Sequence, residues 1–207
     1  MKKIILHAAL ALALSINCYA EDIQDEAVES LATAQKFTID GNYKKAIDEI
    51  NYALAKINEL TATELLKYIP AAPEGYTLIN KQSQGVGAAA SIAGTAGATA
   101  EYSHSDGGTI NLNIAIGGVT GKMASIAALG SIFAGLSQEA GVGQTRQVRV
   151  QGYTGTEVYN SNDQTGTLSF QIGDKTSVTF EGSVIKSSDV LKNLAKSFDF
   201  ASLEKNY

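Results

Sequence analysis

The chain's only two prolines, Pro70 and Pro73, stand where its hydrophobic period changes, and that change restricts the folds open to it. Before them, apolar residues recur at helical spacing. Ala27, Leu31, Ala34 and Phe37 form one face, and after a break at Asp40-Gly41-Asn42 a second run holds Ala46, Ile47, Ile50, Ala53, Leu54 and Ile57. So short a gap suits an antiparallel helical hairpin. Each proline disfavours helix at the residue before it and cannot join an i to i−4 ladder, so the helical part ends near residue 70.

From Gly75 the period is two. Ile110, Leu112, Ile114 and Ile116 alternate with Asn111, Asn113 and Ala115, and the same pattern returns at Leu168–Ile172 and Val178–Phe180. Shorter strands are expected at 76–81, 99–103, 147–151 and 156–159. Turns fall at Asp106-Gly107-Gly108, at 160–166 (where Asn160, Asn162 and Asp163 fit a hairpin turn better than a calcium loop) and at Gly173-Asp174. One polar face per strand implies an antiparallel sheet covered on one side. Cover is expected from a helix over Gly121–Leu136 capped by Thr120, and from another carrying Val190, Leu191, Leu194, Ala195 and Phe198, capped by Ser187 or Ser188. The fold class is therefore α+β, an N-terminal α-helical hairpin followed by an antiparallel sheet covered by helices.

At the N-terminus, Lys2 and Lys3 precede an apolar run from Ile4 to Ile16, followed by the small residues Cys18 and Ala20. This is the layout of a secretory signal peptide, with the cut expected between Ala20 and Glu21. The run is shorter than the roughly 20 apolar residues that cross a bilayer. The expected organisation is a signal peptide over 1–20, a hairpin over 21–69 and a sheet domain over 70–207, with the mature chain periplasmic or secreted. Cys18 offers a rival reading as the acylated cysteine of a lipoprotein, but Ser15-Ile16-Asn17 departs from the usual Leu-Ala-Gly before such a cysteine.

Without Lys2 and Lys3 the chain carries 14 basic and 21 acidic residues, a net charge of −7. Such a surface repels phosphate backbones, which disfavours nucleic-acid binding and docking onto anionic lipid. Cys18 is the sole cysteine, so processing removes the chain's only thiol, and His104 becomes its only imidazole. A transition-metal site needs several His or Cys ligands, so none is expected, nor any cofactor. Ser103-His104-Ser105-Asp106 holds the residue types of a hydrolase triad, but neighbours on a strand alternate faces and cannot align, so His104 is read as leading into the following turn. Gly117-Gly118-Val119-Thr120-Gly121-Lys122 sits between a strand and a helix as a phosphate-binding loop does. Its spacing fails, because Ile116 and Met123 occupy the positions of the required Gly and Ser or Thr. Asp22, Asp25, Glu26 and Glu29 share one helix face and read as a solvated face near a helix start. The stretch 85–100, almost all Gly, Ala, Ser and Thr, reads as a surface loop, and the uncharged Met123–Leu136 as a core-crossing helix.

Two resemblances add to this reading. Gly41-x-Tyr43-x-x-Ala46-Ile47-x-x-Ile50-x-x-Ala53-Leu54 resembles the second half of a tetratricopeptide repeat, although Thr33 replaces the usual Leu, Asn58 the frequent Pro, and no second copy follows. Pro-Ala-Ala-Pro-Glu-Gly-Tyr at 70–76, Val148-x-Val150-x-Gly152-Tyr153, the paired strands around Gly173 and the ending 191–200 resemble small exported proteobacterial proteins whose layout is similar to the PsbP/Mog1 group. That resemblance implies a binding or assembly factor rather than an enzyme. The expected function is a non-catalytic, exported binding or assembly protein for a protein partner or small ligand. Phe37, Tyr43 and Tyr52 are its candidate contact residues. The alternatives are a carboxylate-dependent hydrolase of envelope glycans or peptides and a membrane-associated envelope factor.

Overall fold

The computed structural model describes residues 2–84, 96–117 and 144–207, with side chains described for 21–83, 96–117 and 145–207. Helix α1 (Lys2–Ile39) runs unbroken through the Ala20–Glu21 bond, and α2 (Tyr43–Leu65) returns antiparallel to it. The turn is dictated locally. Gly41 takes φ +74°, a left-handed conformation cheap only for glycine, while the Asn42 N–H donates to the Phe37 carbonyl at 2.8 Å. The Asn42 side chain then accepts from the Lys45 N–H and caps α2. A 3-10 turn, Leu66–Tyr68, ends the helical part just before Pro70.

Among the described residues seven strands follow: β1 (Tyr76–Gln84), β2 (Ala96–His104), β3 (Thr109–Ile116), β4 (Gln144–Val150), β5 (Tyr153–Asn160), β6 (Thr165–Ile172) and β7 (Thr176–Ser183). All pair antiparallel in the order β1-β2-β3-β7-β6-β5-β4, so two meanders are joined where β3 meets β7. Helices α3 (Asp189–Lys196) and α4 (Phe200–Asn206) close the described chain. The α+β class expected from the periodicity is the observed one.

Alternation sorts the sheet into two faces. One core row runs Ala100, Leu112, Phe180 and Leu168, all buried. Phe198 and Phe200 bring the C-terminal helices onto it, with Phe200 at 4.8 Å from both Phe170 and Phe198. Such tilted and edge-on ring pairs add to the stabilisation from burial alone. Helix α2 packs on β1 and β2, and Leu65 joins Ala98 and Ala100 in the core. The Tyr102 hydroxyl, fully buried, donates to the Pro70 carbonyl at 2.9 Å and ties the proline segment to the sheet.

Several expectations are corrected in extent. Residues 96–100 belong to β2 and not to a surface loop, because Ala98 and Ala100 pair with Ile114 and Leu112 and are buried. Strands β1, β4 and β5 run longer than expected. Ser188 occupies the cap position of α3 without a side-chain cap bond, and the Ser187 hydroxyl accepts from the Asp189 N–H instead. The expected helix over Gly121–Leu136, the loop from Gly118 to Lys122 and residues 85–95 lie outside the described residues.

Candidate functional site

The hairpin buries small residues and leaves large ones outside. Ala27, Ser30 and Ala34 on α1 and Ala46 and Ala53 on α2 are buried. Small side chains let two helices approach closely, but they leave neighbouring large ones on the flank. Tyr43, Ile47, Ile50, Leu54 and Ile57 are between 37% and 66% exposed and form a continuous stripe along α2. Val28 and Leu31 of α1 are exposed as well. Helical geometry puts them on the same side of the antiparallel pair, so both helices contribute to one apolar face. Asn58, beside this stripe in sequence, is buried, and its Nδ2 has no hydrogen-bond partner.

The three sequence candidates separate. Tyr43 is exposed and extends the stripe. Tyr52 is held within the hairpin: its hydroxyl donates to Glu26 Oε2 at 2.7 Å, and Lys56 Nζ lies 2.7 Å from the same oxygen and 5.4 Å from the Tyr52 ring centroid. Lys56 and Tyr52 together hold the Glu26 carboxyl below its ordinary value. Glu26 is thus a tie between the helices, while Asp22, Asp25 and Glu29 stay exposed. Phe37 is half-buried, with Lys45 Nζ 5.3 Å from its ring centroid.

His104 ends β2, and its Nδ1 lies 2.5 Å from Asp106 Oδ1. Asp106 also accepts from the Gly108 N–H and pairs with Lys186 Nζ at 3.2 Å. The Gly108 N–H, His104 and Lys186 lower its carboxyl to about 2. The Tyr76 ring covers the imidazole at 4.9 Å, and a Cβ on Gly75 would stand 2.7 Å from Nε2. Nδ1 is therefore engaged by Asp106 and Nε2 is covered by Gly75, and the hydrogen bonds of the ring among the described residues run to Asp106 and not to a hydroxyl. The group locks the β2–β3 turn to the segment after Pro73.

Glu157 carries no warning in the sequence. It extends the core row past Leu168, with Arg146 its cross-strand partner, and its side chain is 1% exposed. Arg146 donates from Nε to Oε2 at 2.6 Å and from Nη2 to Oε1 at 3.0 Å, and Lys192 of α3 stands 3.7 Å away. Burial pushes the carboxyl up, but Arg146, Ser188 and Lys192 outweigh it and the net shift is downward. Bidentate pairing of this kind is strong and directional, and here it clamps α3 to the sheet edge.

The opposite sheet face is polar. Thr99, Asn113, Thr179, Ser169 and Thr156 stand in register across five strands. Beside them a shallow depression of about 230 Å³ is lined by Asn80, Glu101, Asn111 and Glu181. Glu101 and Glu181 flank Asn111 on adjacent strands, roughly 10 Å apart at the backbone. Among the described residues, no cluster of three or more His, Cys, Asp or Glu side chains could hold a metal ion, and no helix is long and apolar enough to cross a membrane. No known protein family, curated protein or solved structure matches this chain.

Proposed function

We propose that this chain is an exported, non-catalytic docking or assembly protein whose working surface is the apolar stripe of the helical hairpin. The observation that carries this reading is the placement of Ile47, Ile50, Leu54 and Ile57 in solvent while Ala46 and Ala53 take the packed positions. A contiguous exposed apolar face is costly to leave wet, and on soluble proteins it marks an interaction site. The partial tetratricopeptide pattern fits the same role, since a single repeat leaves its apolar face for something else to cover. The Lys-led apolar segment at 1–20 supports export, and the likeness to the PsbP/Mog1 group, which rests on residue pattern, supports assembly rather than catalysis.

The test is photo-crosslinking in intact cells from a probe at Ile47, with Lys175 on the β6–β7 turn as the control position. Reproducible adducts from Ile47 and none from Lys175 support the reading. Absence of any adduct from the stripe contradicts it.

A second reading, a carboxylate-dependent hydrolase, has one observation in its favour, the Glu101 and Glu181 pair. With backbones roughly 10 Å apart, the two side chains could span the about 6.5–9.5 Å between carboxyls that inverting glycosidases use. The depression between them is shallow, Glu181 is exposed, and a catalytic acid needs an enclosed site to keep its proton. Retention of any glycan-cleaving activity by a Glu101→Gln/Glu181→Gln chain would eliminate this alternative.

A further inference from the structure

We propose that the α2 stripe pairs with the same stripe of a second copy of this chain, the two helices running antiparallel about a two-fold axis beside Asn51. This rests on the docking function proposed above and names its occupant.

The first argument is spacing. Tyr43, Ile47, Ile50, Leu54, Ile57 and Thr61 follow one another at alternating steps of four and three without a break. That is the 3.5-residue period of a coiled-coil seam, which drifts about 20° per heptad around a straight 3.6-residue helix and is kept facing a partner by supercoiling. A seam of this kind is complementary to another helix with the same repeat, and a second copy carries that repeat by construction. In the antiparallel register Ile50 meets Leu54 of the second copy, Ile47 meets its Ile57, and Tyr43 meets its Thr61. Each pair then occurs twice, as a closed two-fold interface requires.

The second argument is charge. One flank of the seam, Ala46 and Ala53, is taken up in the hairpin, and on the other Lys44 and Asn51 are exposed while Asn58 is already buried within its own chain. Antiparallel pairing sets Asn51 opposite Asn51 and places the two Lys44 side chains at opposite ends of the interface, so no like charges face each other. Parallel pairing would instead bring both Lys44 side chains to the same level at one end of the seam, and flanking charges contribute to the choice of orientation.

The third argument is area. At roughly 180 Å² for a fully exposed large side chain, the α2 stripe with Val28 and Leu31 offers on the order of 600 Å² of apolar surface per copy. This is at the top of the ~300–600 Å² that monomers leave bare and approaches the ~800 Å² each partner contributes to a stable complex. Pairing two hairpins in this way makes a four-helix bundle, with α1 of each copy facing α1 of the other through Val28 and Leu31.

The test is sedimentation velocity of the full chain under reducing conditions, across a low- to high-micromolar series. The expected result is a dimer of the 21.7 kDa chain, converted to monomer by Ile50→Lys/Leu54→Lys with an unchanged far-ultraviolet dichroism spectrum. Ile79→Lys, at an exposed residue on β1, should stay dimeric. To guard against a misfolded double variant, Asn51→Cys in a Cys18→Ser chain should be joined to itself by a short bismaleimide. A chain monomeric throughout, or a dimer indifferent to the double substitution, overturns the proposal. If that monomer still gives adducts with a different protein from Ile47, self-pairing fails while the docking function stands. If Ile47 gives no adduct of either kind, both fail.

Discussion

Removing Arg146 should cost more than removing the buried acid it serves. Glu157 sits in a core row between Leu168 and the sheet edge with its side chain 1% exposed, whereas Arg146 is 54% exposed and can be hydrated on its outer side. Arg146→Ala therefore leaves a buried carboxylate with only Lys192, at 3.7 Å, and Ser188 to offset its desolvation. Breaking a fully buried pair from one side costs about 3–5 kcal/mol. The remaining lysine and the half-exposed arginine reduce that to about 2–3 kcal/mol. Glu157→Leu removes the desolvation cost along with the attraction and leaves Arg146 free to turn to water, so its effect should be within about 1 kcal/mol of neutral. For a chain of this length, each kcal/mol shifts the thermal midpoint by about 2–4 °C, so Arg146→Ala should melt roughly 4–12 °C lower and Glu157→Leu within about 4 °C of the parent. Urea titration followed by far-ultraviolet dichroism measures both, with unchanged slopes confirming that the comparison is of stability. The reasoning is refuted if Glu157→Leu is the more damaging of the two, because the carboxylate would then be a net source of stability and not a cost its partners must offset.

Asp106→Asn should flatten the acid limb of the stability curve. The Asp106 carboxyl is held at about 2 in the folded chain, below its ordinary 3.8, so its contribution is complete above about pH 4 and disappears as pH falls towards 2; thermal midpoints across that window would show whether the variant lacks this component. Tyr102→Phe strands the Pro70 carbonyl in a buried site and should cost about 1–3 kcal/mol in a urea titration, and a neutral result would mean the tether to the sheet is unimportant. Gly155→Ala would place a Cβ 2.6 Å from the Phe170 ring and 2.8 Å from the Ser169 carbonyl, so overpacking of about 1–3 kcal/mol is expected, with a parent-like stability counting against that packing.

Much of the fold is legible in the sequence because alternation leaves little freedom: Ile110 to Ile116 and Leu168 to Ile172 can bury one face only as strands. The first half of β2 is not. Ala-Gly-Ala-Thr-Ala has neither bulk nor branching to mark a strand, and it is one because β1 and β3 pair with both its edges and α2 packs over it. Helix α4 escapes notice as a separate element, although Asp199 caps it through the Ser202 N–H and Phe200 and Leu203 bury its inner face. The stripe is half visible. Periodicity places Ala46, Ile47, Ile50, Ala53, Leu54 and Ile57 on one broad apolar arc, but it cannot say which side of that arc meets α1. Small residues win the close contact, which moves the large ones outside, away from Phe37 and Tyr52, where the sequence suggests contact. Glu157 gives no signal, since a lone Glu in Tyr-Thr-Gly-Thr-Glu-Val-Tyr reads as a polar outward residue until its register against Leu168 is known.

Solvent access at the stripe in the working cell tests the central claim most directly. Ile47→Cys in a Cys18→Ser background would be exposed to a membrane-impermeant maleimide after the outer envelope is opened, with Lys175→Cys in the same background as the exposed reference. The thiol introduced at position 47 should react slowly until urea is added, because another helix covers it. Labelling there as fast as at position 175 under native conditions would mean the stripe stays bare and carries no partner.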